Sequence, residues 1–223
     1  MKKTIFSAMF VAVLGLSAFT ATDKTVEATA TTVVSNDKTP AKKGTAYKVN
    51  TAQSDMTWLG KKVTGQHNGN LKLANGEVYV AGDKLTGGQF EIDMNSITCE
   101  DLKDAEYNGK LIGHLKSDDF FSTAKYPKAQ FKITSIAPIK GATVGKPNYN
   151  VKGNLTIKGI TNPIEFPATV LVDKKGTVSA KGNMVVDRTK YDVKYGSASI
   201  FDSLGDKAIY DDMEIGFNVI AKK

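Results

Sequence analysis

Residues 149–172 read YNVKGNLTIKGITNPIEFPATVLV, and this stretch decides the fold. In its first part, every second residue is apolar or glycine: Tyr149, Val151, Gly153, Leu155 and Ile157. The alternation resumes at Ile164, after a Gly-Ile-Thr-Asn-Pro segment (residues 159–163) that has the composition of a turn. Because successive side chains of a strand point to opposite faces, the pattern predicts two strands, each with one apolar face.

The same period of two continues in both directions from this stretch. It is clear in residues 89–94, 130–134, 178–186 and 215–219, and weaker in residues 56–59, 69–73 and 77–81. Asn75-Gly76 separates the last two weak segments and predicts a hairpin turn there, and residues 174–176 predict another turn. Eight or nine strands joined by short turns are expected to form an antiparallel meander.

Residues 98–116 break the alternation and contain helix-forming residues instead. Thr98 followed by Asp101 matches the pattern of a helix N-cap with an acidic residue at the third position. Gly109 and Gly113 weaken a single long helix, so we predict one or two short helical segments that cross between strands.

The strand faces must be covered, and so must the edges of the sheet. A closed barrel covers both, whereas a two-sheet sandwich covers only the faces. Large residues such as Phe90 and Phe166 alternate on the apolar side with small ones such as Gly153 and Gly182, which we interpret as room for a ligand. We therefore predict an all-β fold: a lipocalin-like antiparallel eight-stranded β-barrel with a short helical lid or crossover segment. A sandwich, or a barrel with a filled core, is the alternative.

The N-terminal residues have a composition different from that of the strands. Lys2 and Lys3 precede an apolar run at residues 5–19, which predicts a secretory signal peptide over residues 1–21. Residues 22–46 are rich in threonine, alanine and lysine and lack aromatic residues, so we predict a disordered tether. Residues 47–223 then form the barrel domain, and we expect no membrane-spanning segment after the signal is cleaved.

Composition and motifs argue against several functional classes. The net charge is +7, but the lysines are scattered along strands, so we expect no nucleic-acid partner. No phosphate-binding glycine loop, His-Glu-x-x-His or Gly-x-Ser-x-Gly motif is present. Two histidines and one cysteine are few for a zinc site, so we expect no metal and no catalytic residues. His67 is interpreted as an exposed loop residue and Cys99 as a buried thiol.

Residues 111–121, LIGHLKSDDFF, contain the other histidine. Residues 117–119 predict a turn that ends the helical segment, after which Phe120 and Phe121 enter the apolar face. With Leu111 and Leu115, the two phenylalanines are predicted to cover one mouth of the barrel, and His114 is predicted to lie at its rim. The alternative is that this segment completes a solid core.

Two segments resemble the signature of a known family. HLKSDDFFSTAKYPKAQF (residues 114–131) and YNVKGNLTIKGITNPIEFP (residues 149–167) resemble the conserved stretches of the YceI-like family, and the likeness extends over residues 47–221. The resemblance implies a lipocalin-like barrel that is exported to the periplasm and binds a polyisoprenoid lipid, such as a prenyl pyrophosphate or an isoprenoid quinone. It implies transport, storage or protection of that lipid, no cofactor besides the lipid, no enzymatic activity, and a possible homodimer.

Two other functions remain open on the residues alone: a β-sandwich interaction module without an internal ligand, and an enzyme that acts on a lipophilic substrate through His114 and an acid.

Strand alternation, together with the matched segments, predicts the residues that line the lipid cavity: Trp58, Phe90, Ile92, Met94, Leu111, Leu115, Phe120, Phe121, Phe131, Ile133, Leu155, Ile157, Phe166, Met184 and Val186. His114 and Lys116 are the predicted contacts of the lipid headgroup.

Overall fold

The computed structural model describes residues 44–223, so the predicted signal peptide and all but the end of the predicted tether lie outside the described residues. The described part contains nine strands, one α-helix and three short 3-10 turns. The strands and the helix are β1 (Thr45–Val49), β2 (Asp55–Lys62), β3 (Gly65–Ala81), β4 (Lys84–Asp93), α1 (Ala105–Lys116), β5 (Lys128–Pro138), β6 (Tyr149–Ile157), β7 (Ile160–Val172), β8 (Thr177–Asp187) and β9 (Ile209–Lys222). The 3-10 turns are Met94–Ser96, Arg188–Tyr191 and Gly205–Lys207.

The strands close into one antiparallel barrel. From β2 to β9 each strand pairs with the next, and β9 returns to pair with β2, where Trp58 lies opposite Ile215. The short β1 occupies the same place in the ring as β2: it pairs with the second half of β3 on one side and with the end of β9 on the other. Nine strands thus fill eight positions, which confirms the predicted barrel and rules out the sandwich.

The alternation in the sequence corresponds to an alternation in burial. In β5, for example, Ala129, Phe131 and Ile133 are buried and the residues between them are not. Aromatic rings meet across the interior, with centroids 5.4 Å apart for Phe131 and Phe166 and 5.5 Å apart for Phe166 and Phe217. Such ring pairs add to the free energy gained from apolar burial.

Gly153 and Gly182, from whose small size we predicted room for a ligand, do not leave empty space in the barrel. A Cβ atom on Gly153 would lie 2.3 Å from the ring of Phe131, and one on Gly182 would lie 2.8 Å from the ring of Phe217. Each glycine therefore accommodates a neighbouring aromatic ring.

The predicted hairpin at Asn75-Gly76 is wrong. β3 runs through this dipeptide without turning, and its register against β4 shifts between Leu73 and Asn75. The Asn75 side-chain oxygen accepts a hydrogen bond from the Gly76 N–H at 2.7 Å, and a side chain on Gly76 would meet Val49 at 2.8 Å. Asn-Gly therefore forms a β-bulge, and the chain turns instead at residues 82–83, where Gly82 has φ +65°.

Two other boundaries differ from the predictions. The turn predicted at residues 159–163 is shorter: Lys158 and Gly159, both with positive φ, form it, and the following residues pair in β7. The predicted tether ends earlier than residue 46, because Thr45 and Ala46 pair with β3. Both side chains are exposed, so no apolar pattern indicated that they belong to a strand.

The predicted helical segment is a single helix, and it begins later than expected. The N-cap is Asp104, whose carboxylate accepts a hydrogen bond from the backbone of Tyr107 at 3.0 Å, and not Thr98. Gly109 and Gly113 lie within α1 on exposed positions, so the helix tolerates them without a break. Ser117 is the C-cap, as the predicted turn at residues 117–119 implied.

The barrel has two different ends. The segments 94–127 and 188–208, which include α1, lie at one end, called here the helix end. The loop of residues 139–148 and the turns at residues 82–83 and 173–176 lie at the other, called the hairpin end. Among residues 44–223, no helix combines the length and the apolar character needed to cross a bilayer.

Candidate functional site

The barrel encloses an apolar cavity of about 170 Å³. Strands β2 to β9 all contribute to its wall, which extends from Val170 and Val219 to Phe120 and Arg188 at the helix end. The wall contains every predicted apolar site residue except Leu111, which is half-buried against the core beside it. It also contains residues that the sequence analysis did not select: Met56, Leu59, Gly60, Leu71, Leu73, Val78, Leu85, Ile97, Ala129, Val151, Ala168, Val170, Ala180, Arg188, Ile209, Tyr210, Met213, Ile215, Phe217 and Val219.

The segment after α1 brings Phe120 and Phe121 into the wall. The backbone N–H of Phe121 donates to the Leu115 carbonyl at 3.1 Å, and Ser122 donates to the Ser117 carbonyl at 2.8 Å. Ser122, with φ +48°, reverses the direction of the chain, and its hydroxyl donates a hydrogen bond to the carboxylate of Asp118. The two phenylalanines and Leu115 are thereby buried over the cavity at the helix end.

The two predicted headgroup residues lie outside the cavity wall. The ring of His114 contacts the rings of Phe120 and Tyr195 edge-on, at centroid distances of 4.9 and 4.5 Å. Its Nε2 is 3.4 Å from a carboxylate oxygen of Asp119. Lys116 is half-buried at the end of α1. The geometry makes His114 part of the aromatic packing behind Phe120, and a headgroup role for His114 and Lys116 stays a prediction.

Arg188 is the charged residue of the wall, and the strand alternation did not predict it. Only 1% of it is exposed, and it lies 6.0 Å from the ring centroid of Phe120. Its guanidinium donates to the carbonyls of Val193, Tyr195, Ile209 and Tyr210 and to the carboxylate of Asp211, at distances of 2.8–3.3 Å. All five donors are engaged, because Nε makes one bond and each terminal nitrogen makes two. One signal was available: Arg188 is the one arginine in a sequence rich in lysine.

The charge of Arg188 holds the helix end together. Burial lowers the pKa of the guanidinium, while the neighbouring carboxylates of Asp211 and Asp187 act in the opposite direction. The carbonyls that it binds belong to the segment 188–208 and to the start of β9, so one side chain fixes both against the barrel.

Trp58 joins the wall to the loop before α1. Its indole Nε1 donates to the Thr98 carbonyl at 2.8 Å, and its ring lies opposite Gly69 of β3. A Cβ atom on Gly69 would lie 1.8 Å from the Thr98 oxygen, so only glycine permits this close approach. The indole donor is thus used within the protein, while the residue also lines the cavity.

The composition of the wall limits what it can do chemically. Among the described residues that line the cavity, Arg188 and Tyr210 are the titratable ones, and histidine, cysteine, aspartate, glutamate and lysine are not represented. Such a wall provides no pair of groups for acid–base catalysis and no metal ligands. It is suited to shielding an apolar molecule from water.

A closed antiparallel barrel with an apolar cavity defines the lipocalin-like class of barrel proteins. Within that class, the chain belongs to the YceI-like domain family, whose model matches residues 47–221.

Similar proteins come from several bacteria. A UPF0312 protein of Shewanella denitrificans is 31% identical over 100 residues, which cover 45% of this chain and 47% of that protein. Protein YceI of Escherichia coli is 36% identical over 58 residues, which cover 26% of this chain and 27% of that protein. The matched segments thus span less than half the length of these curated relatives.

Solved structures share the fold. BcnA of Burkholderia cenocepacia superposes with a TM-score of 0.59 at 26% sequence identity, covering 78% of this chain and 99% of that chain. A domain from Saccharophagus degradans, described as polyisoprenoid-binding and implicated in plant cell wall breakdown, superposes with a TM-score of 0.56 at 16% identity, covering 79% and 97% of the two chains.

Proposed function

We propose that this protein is a periplasmic lipid-binding protein, exported through a cleaved signal peptide, that holds a polyisoprenoid chain in its barrel for transport, storage or protection. The observation that carries the proposal is the apolar cavity that runs inside the closed barrel. Membership of the YceI-like domain family supports it. The neighbour from Saccharophagus degradans is described as polyisoprenoid-binding, which is the same class of ligand.

The volume of the cavity indicates how much of a lipid would be enclosed. A water-sized group needs about 10–15 Å³ by the measure used for small cavities, so the available space accommodates roughly a dozen carbon-sized groups. That is roughly two or three isoprene units at five carbons each. A longer chain would extend through a mouth of the barrel or require side chains of the wall to move.

The energetics favour a chain that fills the cavity. Each buried CH₂ group contributes about 0.8 kcal/mol, so roughly a dozen groups contribute on the order of 10 kcal/mol before costs. Association costs on the order of 4–15 kcal/mol, which a very short chain does not offset. The affinity should therefore rise with the number of isoprene units until the cavity is full.

We place the polar headgroup at a mouth of the barrel. The guanidinium of Arg188 has its donors engaged by the protein, so it has no free N–H to offer a pyrophosphate or a quinone oxygen inside the wall. At the helix end, His114 and Lys116 lie near the surface and remain our candidates for contact with the headgroup. Binding without turnover is proposed, since the wall lacks an acid–base pair.

The test is to purify the full chain without detergent, extract it with organic solvent and identify the lipid by mass spectrometry. We expect an isoprenoid lipid to copurify with it. Ala180→Phe places a ring in the cavity wall and should reduce bound lipid at least about tenfold. Val185→Phe is the matched control, because Val185 lies on the same strand with an exposed side chain, and it should leave the amount of lipid unchanged.

Lipid-free protein would contradict the proposal if it also failed to bind prenyl diphosphates and isoprenoid quinones of increasing length in vitro. Equal binding by Ala180→Phe and the natural chain would place the ligand outside the barrel. The expected homodimer stays a prediction, which sedimentation of the lipid-loaded protein can test.

A further inference from the structure

Three side chains with metal-binding atoms converge at the helix end, outside the cavity wall. They are His67 on β3, and Cys99 and Asp101 in the loop before α1, and their donor atoms lie within 4.8 Å of one another. Nδ1 of His67 is 2.8 Å from Oδ2 of Asp101, and Sγ of Cys99 is 3.3 Å from Oδ1 of the same carboxylate. The thiol is buried, whereas about a third of the His67 and Asp101 side chains is exposed (32% and 33%).

The backbone holds these three residues in place. Residues 96–101 continue along the edge of β3 beyond the end of β4: Thr98 donates to the Asn70 carbonyl at 3.0 Å, and Glu100 donates to the Asn68 carbonyl at 2.8 Å. The Asn68 N–H donates to Asp101 at 2.8 Å, and Asn108 of α1 donates to the Cys99 carbonyl at 3.0 Å. Contacts of this kind orient ligand side chains before a metal arrives.

We propose that His67, Cys99 and Asp101 bind one zinc ion at the rim of the barrel. An imidazole nitrogen, a thiolate sulfur and a carboxylate oxygen form a donor set that suits this borderline-soft ion, and three protein ligands leave the fourth tetrahedral position to water. Donor atoms around a tetrahedral zinc lie about 3.3–3.8 Å apart, as follows from bond lengths of about 2.0–2.3 Å. The two separations that involve Asp101, 2.8 and 3.3 Å, lie at or just below the lower limit of that range, and no two donor atoms are more than 4.8 Å apart, so small side-chain rotations are sufficient.

Binding of Zn²⁺ replaces the proton of the Cys99 thiol. In the metal-free cluster, burial raises the pKa of the Cys99 thiol, which is placed to donate to Asp101. Burial acts against ionisation of Asp101, but hydrogen bonds from the Asn68 N–H, His67 and Cys99 lower its pKa to about 2. Zinc takes the place of the thiol proton, which leaves to solvent. The proton on Nδ1 of His67, which faces Asp101 in the metal-free cluster, moves through solvent to Nε2, so that Nδ1 can bind the ion. The sulfur and carboxylate together then carry two negative charges beside the divalent ion.

Cobalt(II) is the probe for this site, because a cobalt–thiolate bond gives a charge-transfer band that carboxylates and imidazoles alone do not give. Full-length protein stripped of metal is titrated with Co²⁺, and then Zn²⁺ is added. We expect one Co²⁺ per chain, a thiolate band, and loss of that band when Zn²⁺ displaces the cobalt. The chain has a single cysteine, so the band can arise only from Cys99.

The variants Cys99→Ser, His67→Gln and Asp101→Asn should each weaken Zn²⁺ binding at least about 100-fold. Glu106→Gln is the matched control: it removes an exposed carboxylate of α1 that pairs with Lys110 and is not part of the cluster, and this variant should bind Zn²⁺ as the natural chain does. Circular dichroism checks the fold of each variant. If a variant does not fold, the thiolate band of the natural chain decides the outcome.

Absence of that band would overturn the proposal, as would variants that bind Zn²⁺ as tightly as the natural chain. Equal weakening of Zn²⁺ binding by Glu106→Gln would show an unspecific effect and would also overturn the proposal. The cluster is not part of the cavity wall, so the result is independent of whether a lipid is bound.

Discussion

At the scale of single residues, Arg188 carries the largest concentration of polar contacts in the site. The side chain is itself buried, and its five donors serve four carbonyls and one carboxylate. When one partner of a buried charged group is removed, the remaining groups lose their hydrogen bonds and are not rehydrated. The segment 188–208 therefore depends on this guanidinium.

We predict that Arg188→Met lowers the free energy of unfolding by about 3–5 kcal/mol, because it leaves four carbonyls and the Asp211 carboxylate without their donor. Urea denaturation at neutral pH measures the change. Lys190→Met is the control, since the side chain of Lys190 is 64% exposed and its substitution should change the free energy by less than about 0.5 kcal/mol. Similar losses for the two variants would mean that the buried contacts are not important.

Single residues also show where sequence reasoning succeeds. Phe131, Leu155 and Phe166 were predicted to face the interior, and they line the cavity, because strand alternation directly encodes the face on which a side chain lies. The zinc proposal shows the limit. His67 and Cys99 are separated in the sequence by most of β3, the turn at residues 82–83 and all of β4, and their proximity depends on how residues 96–101 lie along β3.

At the scale of elements, α1 contains two glycines that lower the stability of the helix and that the surrounding structure does not require. Gly109 and Gly113 are exposed, and an added Cβ atom would meet nothing within 4 Å at either position. Glycine within a helix costs about 0.5–1 kcal/mol relative to alanine, mostly because it loses more backbone entropy on folding.

We expect Gly109→Ala and Gly113→Ala each to slow hydrogen exchange of the α1 amides, by an amount that corresponds to about 0.5–1 kcal/mol. Gly153→Ala provides the contrast, because its Cβ atom would lie 2.3 Å from the Phe131 ring and should destabilise the whole barrel. Unchanged exchange in both helix variants would show that the helix is not limited by its glycines.

The element boundaries show why local sequence signals mislead. Asn-Gly is the preferred dipeptide of a two-residue hairpin, yet at Asn75-Gly76 it forms a bulge within β3. The reason is not local: at this point β3 stops pairing with β2 and begins to pair with β1, and Val49 packs over Gly76. β1 itself was not predicted, because only two of its five side chains are buried.

At the scale of the whole molecule, closure of the barrel depends on β1 as well as β2. Val49 of β1 lies opposite Ala221 of β9 and is 5% exposed. It therefore covers the interior at the point in the ring where β1 and β2 together occupy one strand position. Lys48, its neighbour, points to the outside. Substitutions of Val49 and Lys48, two neighbours on β1 that face opposite sides, therefore test whether β1 contributes to closure of the barrel.

We predict that Val49→Asn lowers the free energy of unfolding by about 2–4 kcal/mol, because it buries an amide that has no partner there. Lys48→Asn should change it by less than about 0.5 kcal/mol. Thermal unfolding gives both values, and size-exclusion chromatography should show association of the Val49→Asn chain through the uncovered strand edges. A monomeric variant with unchanged stability would mean that β2 alone closes the barrel.

The global fold could be predicted because many weak signals agreed. The alternation in most of the strands, together with short turns, left few arrangements that cover every apolar face. The same alternation predicted part of the cavity wall. The role of Arg188 could not be derived, because four of its five hydrogen-bond acceptors are backbone carbonyls, which carry no sequence signal.

The seam between β2 and β9 has a consequence for how the chain acquires its shape. Asn218 donates to Asp55 across 163 positions of sequence, and Ser54 bonds to Ile220 across 166. Contacts between residues so far apart in the sequence form slowly, because closing the long intervening loop costs conformational entropy before the contacts can form. A nascent chain that lacks its C-terminal strand is therefore an open sheet whose apolar face and strand edges are exposed. Until β9 is added, such a chain must be kept from aggregating with other chains.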